Sequence, residues 1–580
     1  MSLILRYLKR HWLILAAGLL ILLACDIAQL ALPAILGGAF SDLQAVAEGR
    51  AGDGVTSATF AAAGLKFALL TVAIALTRMV YRRIIWPRSR RMEYEIRRDL
   101  FGHMQSLPPD FFHASTSGDL MSRASSDLEA VRRFYAMGLL CFADAIILIP
   151  AAFIMMVAIN PWLAVAATAP LLLGSPLSAM LMTRLHNTYQ ASQDALGVLT
   201  GRVQEDIAGV RALKTYARED AAFANFEALN REYTAKAVRV SRFDALFEPY
   251  FRLIPEASVA VALAWGGWLV LGRRMDLGDL VKFVAYVGVM IWPTFAVGMA
   301  LNILQRAKAS AKRLEDIFQT APAQHPPEAS GPDVFRGSLS FRGLTFTHRG
   351  KEAPAVSDLS LDVPAGAVLG ITGPTGSGKS TLLNLAAGLL TAPRGTVFLD
   401  GADLGEIGRG KLRRAVTLVE QSPFLFSRSL EENLAYGREN CPPELVREAV
   451  NLAALDGDVA RFEGGLATVV GERGVTLSGG QRLRAALARA LVVEPRVLLL
   501  DDVFSAVDVE TEKAIWSRIR PKLAGTTVIV VSHRISVLRE CDRVAVIQDG
   551  RLSEVGTHRE LLRGDGFYAR NFALQEQFES

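Results

Sequence analysis

Gly373-Pro374-Thr375-Gly376-Ser377-Gly378-Lys379-Ser380-Thr381 decides how the C-terminal half of this sequence folds. An apolar run from Ala367 to Thr372 reads as a buried strand leading into it, and a helical pattern leaves it through Leu390. Strand, glycine-rich loop and helix in that order make a P-loop. Its glycines let successive backbone N–H groups curl around a β-phosphate, and the helix N-terminus adds positive potential at the same point. Lys379 is then placed to reach the β- and γ-phosphates, and the Ser380 hydroxyl to ligate Mg2+. Further on, the apolar run Arg496 to Leu500 ends in Asp501-Asp502. Asp501 suits a water-mediated hold on Mg2+, and Asp502 falls where an attacking water could be oriented.

Upstream of this domain the composition changes. Ala321-Pro322-Ala323-Gln324-His325-Pro326-Pro327 reads as a short extended linker, and short strands begin near Ser338. The expected division is a membrane domain over 1–318, a linker over 319–337 and a nucleotide-binding domain over 338–580. The whole chain of 580 residues is 51% hydrophobic yet 21% charged, which suits a lipid-facing part joined to a soluble part. Six apolar stretches are long enough to cross a bilayer: Trp12 to Phe40, Phe60 to Trp86, Phe134 to Ile159, Trp162 to Met182, Pro249 to Leu271 and Leu277 to Leu304. Leu22-Leu23-Ala24-Cys25 has the look of a lipoprotein cleavage signal, but apolar residues continue to Phe40, so the stretch reads as the first span. The fold class expected is an all-α domain of six transmembrane helices followed by an α/β P-loop domain.

Basic residues orient the spans. Arg82, Arg83, Arg88, Arg90, Arg91, Arg97, Arg98, Arg132 and Arg133 crowd the connection between the second and third, which therefore faces the cytoplasm. The acidic loop Ser41 to Ala58 and the turn at Asn160-Pro161 lie outside; Arg273 and Arg274 in the last outer loop run against the rule. The cytoplasmic connections, Arg82 to Arg133 and Arg184 to Phe247, are helical in pattern, with breaks at Ser115-Thr116-Ser117-Gly118-Asp119 and Gln204-Glu205-Asp206-Ile207-Ala208-Gly209. Such breaks can turn the chain and present a short helix to another domain.

Ionisable residues within the spans are Asp26, Arg78, Asp144, Glu256 and Lys282. Each costs about 2.5 to 3.5 kcal/mol at mid-bilayer on insertion scales unless compensated. Two readings stand: Asp26, Asp144 and Glu256 line a cavity that favours amphipathic cations, with Trp292 and Phe295 as apolar walls, or these groups pair locally and the aromatics pack. A net charge of +5 without a basic stripe excludes a nucleic-acid partner, and four scattered cysteines carry neither zinc spacing nor a disulfide pattern.

The run Leu477-Ser478-Gly479-Gly480-Gln481, opening a helix rich in Arg and Ala, resembles the signature loop of the ATP-binding cassette family. Gln421, Ser505-Ala506-Val507-Asp508, and His533 after the strand Thr526 to Ser532 match further motifs of that family, and Gly471-Glu472-Arg473-Gly474 is similar to a loop by which exporters contact their transmembrane helices. A narrower resemblance, to the MdlA-like subunit of bacterial heterodimeric multidrug exporters, rests on Met290-Ile291-Trp292-Pro293, Asn302-Ile303-Leu304-Gln305-Arg306 and Leu500-Asp501-Asp502.

The resemblance implies an ATP- and Mg2+-dependent translocase in a bacterial inner membrane, with the N-terminus and the ATP-binding domain cytoplasmic. Its partners would be a second half-transporter, membrane lipids and an amphipathic small molecule. Residues 373–381 would cradle ATP, and His348 stands where the family usually places a Tyr against adenine. Ser380, Gln421 and Asp501 would hold Mg2+, and Asp502, Gln421 and His533 would serve hydrolysis. Ser478, Gly479, Gly480 and Gln481 would reach ATP bound to the partner chain. Most active members carry Glu where this sequence has Asp502. A base one methylene short predicts a slow site at this P-loop beside a complete signature loop, which favours a heterodimer. A homodimeric exporter, a lipid flippase and a mainly regulatory ATP-binding half are the alternatives.

Overall fold

The computed structural model describes residues 2–49, 56–323, 326–348, 350–471 and 477–579. Chain contacts divide it into two compact units, Met1–Ser106 with Thr116–Ala321, and Leu107–Ser115 with Pro322–Ser580.

The first unit is entirely helical. Its long helices are Trp12–Ala47, Ser57–Ser106, Ser117–Ile159, Pro161–Ala208, Glu219–Leu271 and Leu277–Gln319. Among the described residues five are long and apolar enough to cross a membrane, while the helix from Pro161 carries a shorter apolar run, Pro161–Gly174. The fourth span expected from sequence continues beyond Gly174 through residues 175, 176, 178 and 179, whose side chains lie outside the described set. Asn160 starts that helix by accepting the Leu163 N–H at 3.0 Å, with Pro161 in the first turn where no N–H is needed. The spans pack through Leu30, Leu148, Met156, Leu171, Phe283 and Val287, and the buried Tyr286 hydroxyl donates to the Leu30 carbonyl at 3.2 Å.

The first expected break follows a short helix, Pro109–Ala114, whereas Gln204 to Ala208 of the second continue the long helix and the chain breaks only at Gly209, ahead of the short helix Val210–Thr215. Thr116 restarts the chain by accepting the Asp119 N–H at 3.3 Å. The third long helix contains two π-helical turns, Arg123–Asp127 and Phe134–Gly138, which the apolar pattern does not betray. Between the last two spans Arg274 lies 5.6 Å from the ring centre of Trp268, a cation–π contact. Residues 50–55 of the first outer loop, Arg50 and Asp53 included, lie outside the described residues, as do Gln324 and His325 of the linker.

The second unit holds two sheets. One is antiparallel, in the order β2-β1-β4-β5, from β1 (Leu339–Phe346), β2 (Val356–Val363), β4 (Val397–Leu399) and β5 (Ala402–Asp403). The other has the order β10-β9-β3-β8-β7-β6, from β3 (Val368–Thr372), β6 (Val416–Val419), β7 (Val497–Asp501), β8 (Thr527–Val531), β9 (Arg543–Gln548) and β10 (Arg551–Gly556). All its pairings are parallel except that of β10 with β9. β7 and β8 are buried along their whole length, which is why they read as unbroken apolar runs.

Register positions the site. Ile371 pairs with Val531, Val531 with Asp501, and Leu500 with Val419, so the chain leaves β3, β8, β7 and β6 at one edge. In open parallel sheets ligands bind at the carboxyl ends of the strands.

Candidate nucleotide site

The loop after β3 needs its glycines. Gly373 stands at φ +146° and Gly378 at φ +96°, and a Cβ would collide with the Ile547 carbonyl at the first and the Ala355 carbonyl at the second. The loop therefore wraps against β9 and β2, and the helix Lys379–Ala386 starts directly behind it. Lys379 is 7% exposed, and its ammonium donates to the carbonyls of Gly373 at 2.9 Å and Pro374 at 2.7 Å. Burial lowers its pKa, while Asp501 and Asp502 pull it back up. Thr372 Oγ1 at the base of the loop is buried without a hydrogen-bond partner.

Asp501 closes β7 at 8% exposure, within hydrogen-bonding reach of Ser380. Burial raises its pKa, opposed by Ser380, Lys379 and His533. Asp502 follows in the left-handed region at φ +49°, its N–H donating to the Val531 carbonyl at 3.0 Å. Its pKa too is raised by burial, with His533 acting against it. Gln421, just beyond β6, donates from Nε2 to Asp502 Oδ2 at 3.3 Å. The structure thus brings together Lys379 and Ser380 from the loop, Asp501 and Asp502 from the end of β7, Gln421 from beyond β6 and His533 from beyond β8.

His348 lies 3.1 Å from Thr381 Oγ1 and meets Phe346 edge-on at 5.1 Å between ring centres, so its imidazole stands beside the start of the P-loop helix. Ser478 and Gln481 form a capping box, the Ser478 hydroxyl accepting the Gln481 N–H at 3.2 Å and Gln481 Oε1 accepting the Ser478 N–H at 2.9 Å. Gln481 also donates to Asp458 at 2.8 Å, and a Cβ on Gly480 would lie 2.7 Å from the Ala506 carbonyl. The signature residues Ser478, Gly479, Gly480 and Gln481 therefore form a second cluster, held by Asp458 and the Ser505-to-Asp508 loop. Glu472, Arg473 and Gly474 lie outside the described residues.

A nucleoside triphosphate with Mg2+ fits this donor set. The glycine loop is a cradle that side chains would fill, and Ser380, Gln421 and Asp501 offer hard oxygen donors of the kind Mg2+ takes sparingly, keeping water for the rest. Among the described residues no cluster of three or more His, Cys, Asp or Glu side chains could hold a metal on its own, as a softer, fully protein-caged ion requires. Arg534, Asp458 and Gln575 hold Ser505, Gln481 and His533 in place and belong to no motif that a sequence displays.

In the membrane unit Asp26 is 3% exposed and its Oδ2 lacks a hydrogen-bond partner, as does Asp144 Oδ1. The two carboxylates lie within electrostatic range of each other and of Arg78, whose guanidinium donates to Gln29 at 2.6 Å. Glu256 stands apart, exposed and 3.9 Å from Arg252, while Lys282 pairs with Asp279 at 2.9 Å and Trp292 is exposed.

Two family profiles match this chain, the ABC transporter transmembrane region over residues 15–294 and ABC transporter over residues 356–505. It is 33% identical over 578 residues to the probable multidrug resistance ABC transporter ATP-binding/permease protein YheI of Bacillus subtilis (strain 168), covering 99% of this chain and 97% of that one. It is 32% identical over 579 residues to the multidrug resistance-like ATP-binding protein MdlA of Escherichia coli (strain K12), covering 98% and 95%. A solved structure of a bacterial Atm1-family ABC exporter with ATP bound superposes with a TM-score of 0.79 at 26% identity, over 98% of this chain and 99% of that one.

Proposed function

The chain belongs to the ABC transporter family as an exporter-type fusion of membrane and ATP-binding domains, an ATPase coupled to transport, and from that premise we propose that it exports amphipathic small molecules as one half of a heterodimer in the bacterial inner membrane. In this reading residues 373–381 hold ATP, with Ser380, Gln421 and Asp501 around its Mg2+. Ser478, Gly479, Gly480 and Gln481 complete the site on the partner chain. The relatives named for multidrug resistance support the substrate class.

Asp502 carries the proposal. Gln421 reaches its carboxylate, and the Ser505 hydroxyl donates to its carbonyl at 2.7 Å, so the residue is held in place and its reach is set by its length. A misplacement near 1 Å costs on the order of 10²-fold in rate. The P-loop, lysine and metal donors beside it are complete, so this site binds ATP and turns it over slowly. The intact capping box of Ser478 supports a competent site across the interface.

Within the chain's own site, Lys379 and the loop N–H groups bind and orient the phosphates. Mg2+ held by Ser380, Gln421 and Asp501 would neutralise phosphate charge. Asp502 orients the attacking water, and His533 faces the same point from β8.

The test is Mg2+-dependent ATP hydrolysis by this chain alone in lipid nanodiscs and again with a co-expressed candidate half-transporter. Strong stimulation by the partner supports one competent site in a heterodimer. Robust turnover by the chain alone overturns the slow-site reading and makes a homodimeric exporter in which Asp502 is an adequate base.

A further inference from the structure

The backbone around His533 is held from outside the nucleotide site. Arg534 is extended, at φ −88° and ψ 124°, and begins the helix Ile535–Arg539 without capping it through its own side chain. In an extended residue the preceding carbonyl and the following N–H point the same way. Gln575, on the C-terminal helix Phe567–Glu579, meets both. Its Nε2 donates to the His533 carbonyl at 2.7 Å, and its Oε1 accepts the Ile535 N–H at 3.1 Å. One amide thus does what a neighbouring strand would do, and it also satisfies an N–H that helix starts leave open.

The opposite side is braced as well. The Arg534 guanidinium donates to the carbonyls of Val507 at 2.7 Å and Ser505 at 3.1 Å, and to Glu512 Oε2 at 2.9 Å. Glu512 is buried and takes the Ser536 hydroxyl at 2.6 Å on its other oxygen. His533 is therefore carried on a short segment fixed on one face to the loop after Asp502 and on the other to the C-terminal helix. That helix has its own anchor in the fully buried Tyr568, whose hydroxyl lies 2.8 Å from His558 Nδ1.

We propose that Gln575 is a positioning residue for hydrolysis, setting the direction of the His533 imidazole by clamping the peptide groups on either side of Arg534. The C-terminal helix becomes a handle on the ATP site, since any event that lifts it releases one face of the His533 segment. The proposal rests on His533 facing the nucleotide, as read above. A clamp on a peptide, unlike a contact with ATP, predicts loss of rate without loss of binding.

The experiment is single-turnover ATP hydrolysis by the full chain in lipid nanodiscs, with Gln575→Leu, Gln575→Glu and His533→Ala beside the parent. Gln575→Leu is expected to lower the rate constant by about five- to tenfold, the worth of one or two net hydrogen bonds, with the ATP concentration for half-saturation unchanged. Gln575→Glu puts an ionised carboxylate against the His533 carbonyl, and protonation returns an O–H donor. Its rate relative to the parent should therefore rise as pH falls from about 8 toward about 5.5, while that of Gln575→Leu stays flat. Parent-like rates in both Gln575 variants, or equal losses in rate and binding, overturn the clamp if His533→Ala is slow. A parent-like His533→Ala overturns the reading of His533 itself, and the proposal with it. Amide exchange at Ile535 gives a readout independent of turnover: it must quicken in Gln575→Leu with the P-loop amides unchanged, and no change there also overturns the clamp.

Discussion

Asp502 stands in the left-handed region at φ +49°, a conformation that Asp tolerates better than most side chains. The position is thus shaped by its backbone as well as by the chemistry asked of it. Asp502→Glu is expected to raise turnover by on the order of 10²-fold in the chain measured alone, set against a small backbone cost. An unchanged rate would show that reach is not what limits this site. Asp501 gives a second expectation. Burial raises its pKa, so the folded chain holds the proton more tightly than the unfolded one. Its contribution to stability is then fullest below the unfolded pKa and is lost as pH rises through the folded value. At neutral pH Asp501→Asn should raise the Tm of the nucleotide-free chain while abolishing Mg2+-dependent hydrolysis, and a lowered Tm would contradict the sign. The P-loop and the two aspartates were legible because their chemistry requires fixed residue types at fixed spacing. Gln575 was not: it bonds to residues 40 and 42 positions away and looks like any polar residue on a terminal helix.

At the scale of the element, helix starts carry much of the information. Five of the spans follow from apolar length alone. The break at Gly209 has no side-chain cap, whereas the break at Ser115-Thr116 follows from a small polar residue that caps the next helix. Asn160 is such a cap between the third and fourth spans, and Asn160→Ala should cost about 1 kcal/mol, read as a lower midpoint of thermal unfolding in detergent. The π-helical turns Arg123–Asp127 and Phe134–Gly138 were not legible, since a single wide turn carries no residue signature of its own. Their role shows only in packing. Asp127 is buried at the end of the first, accepting the Ser310 hydroxyl at 2.9 Å and facing Arg313 at 3.3 Å. Asp127→Ala would leave the Arg313 charge without this partner and is expected to loosen the junction, measured as faster proteolysis near residue 123.

For the whole molecule, the proposed preference for amphipathic substrates turns on the membrane unit, where charge is costly in a medium that does not hydrate it. Asp26 and Asp144 each present an unpartnered oxygen near Arg78, which is engaged with Gln29, and Asp144 also lies near Arg82. Carboxylate oxygens without a fixed partner are where a lipophilic cation would be held. The Asp26→Asn, Asp144→Asn double variant is expected to lose stimulation of hydrolysis by lipophilic cations and to keep that by neutral amphiphiles of similar size. Equal loss of both would point to damaged packing instead. Fold class and the order of domains were plain from sequence because lipid and water select different residues over long stretches. What sequence concealed is that the ATP-binding unit is not one continuous piece. Leu107–Ser115, encoded in the membrane half, belongs to it. A gene fusion that exchanges cassettes between two such exporters at Ala321 therefore leaves a short graft of the old protein inside the new unit. Chimeras of this kind should work only between parents whose versions of that graft are interchangeable, and shuffled descendants would inherit the pieces together.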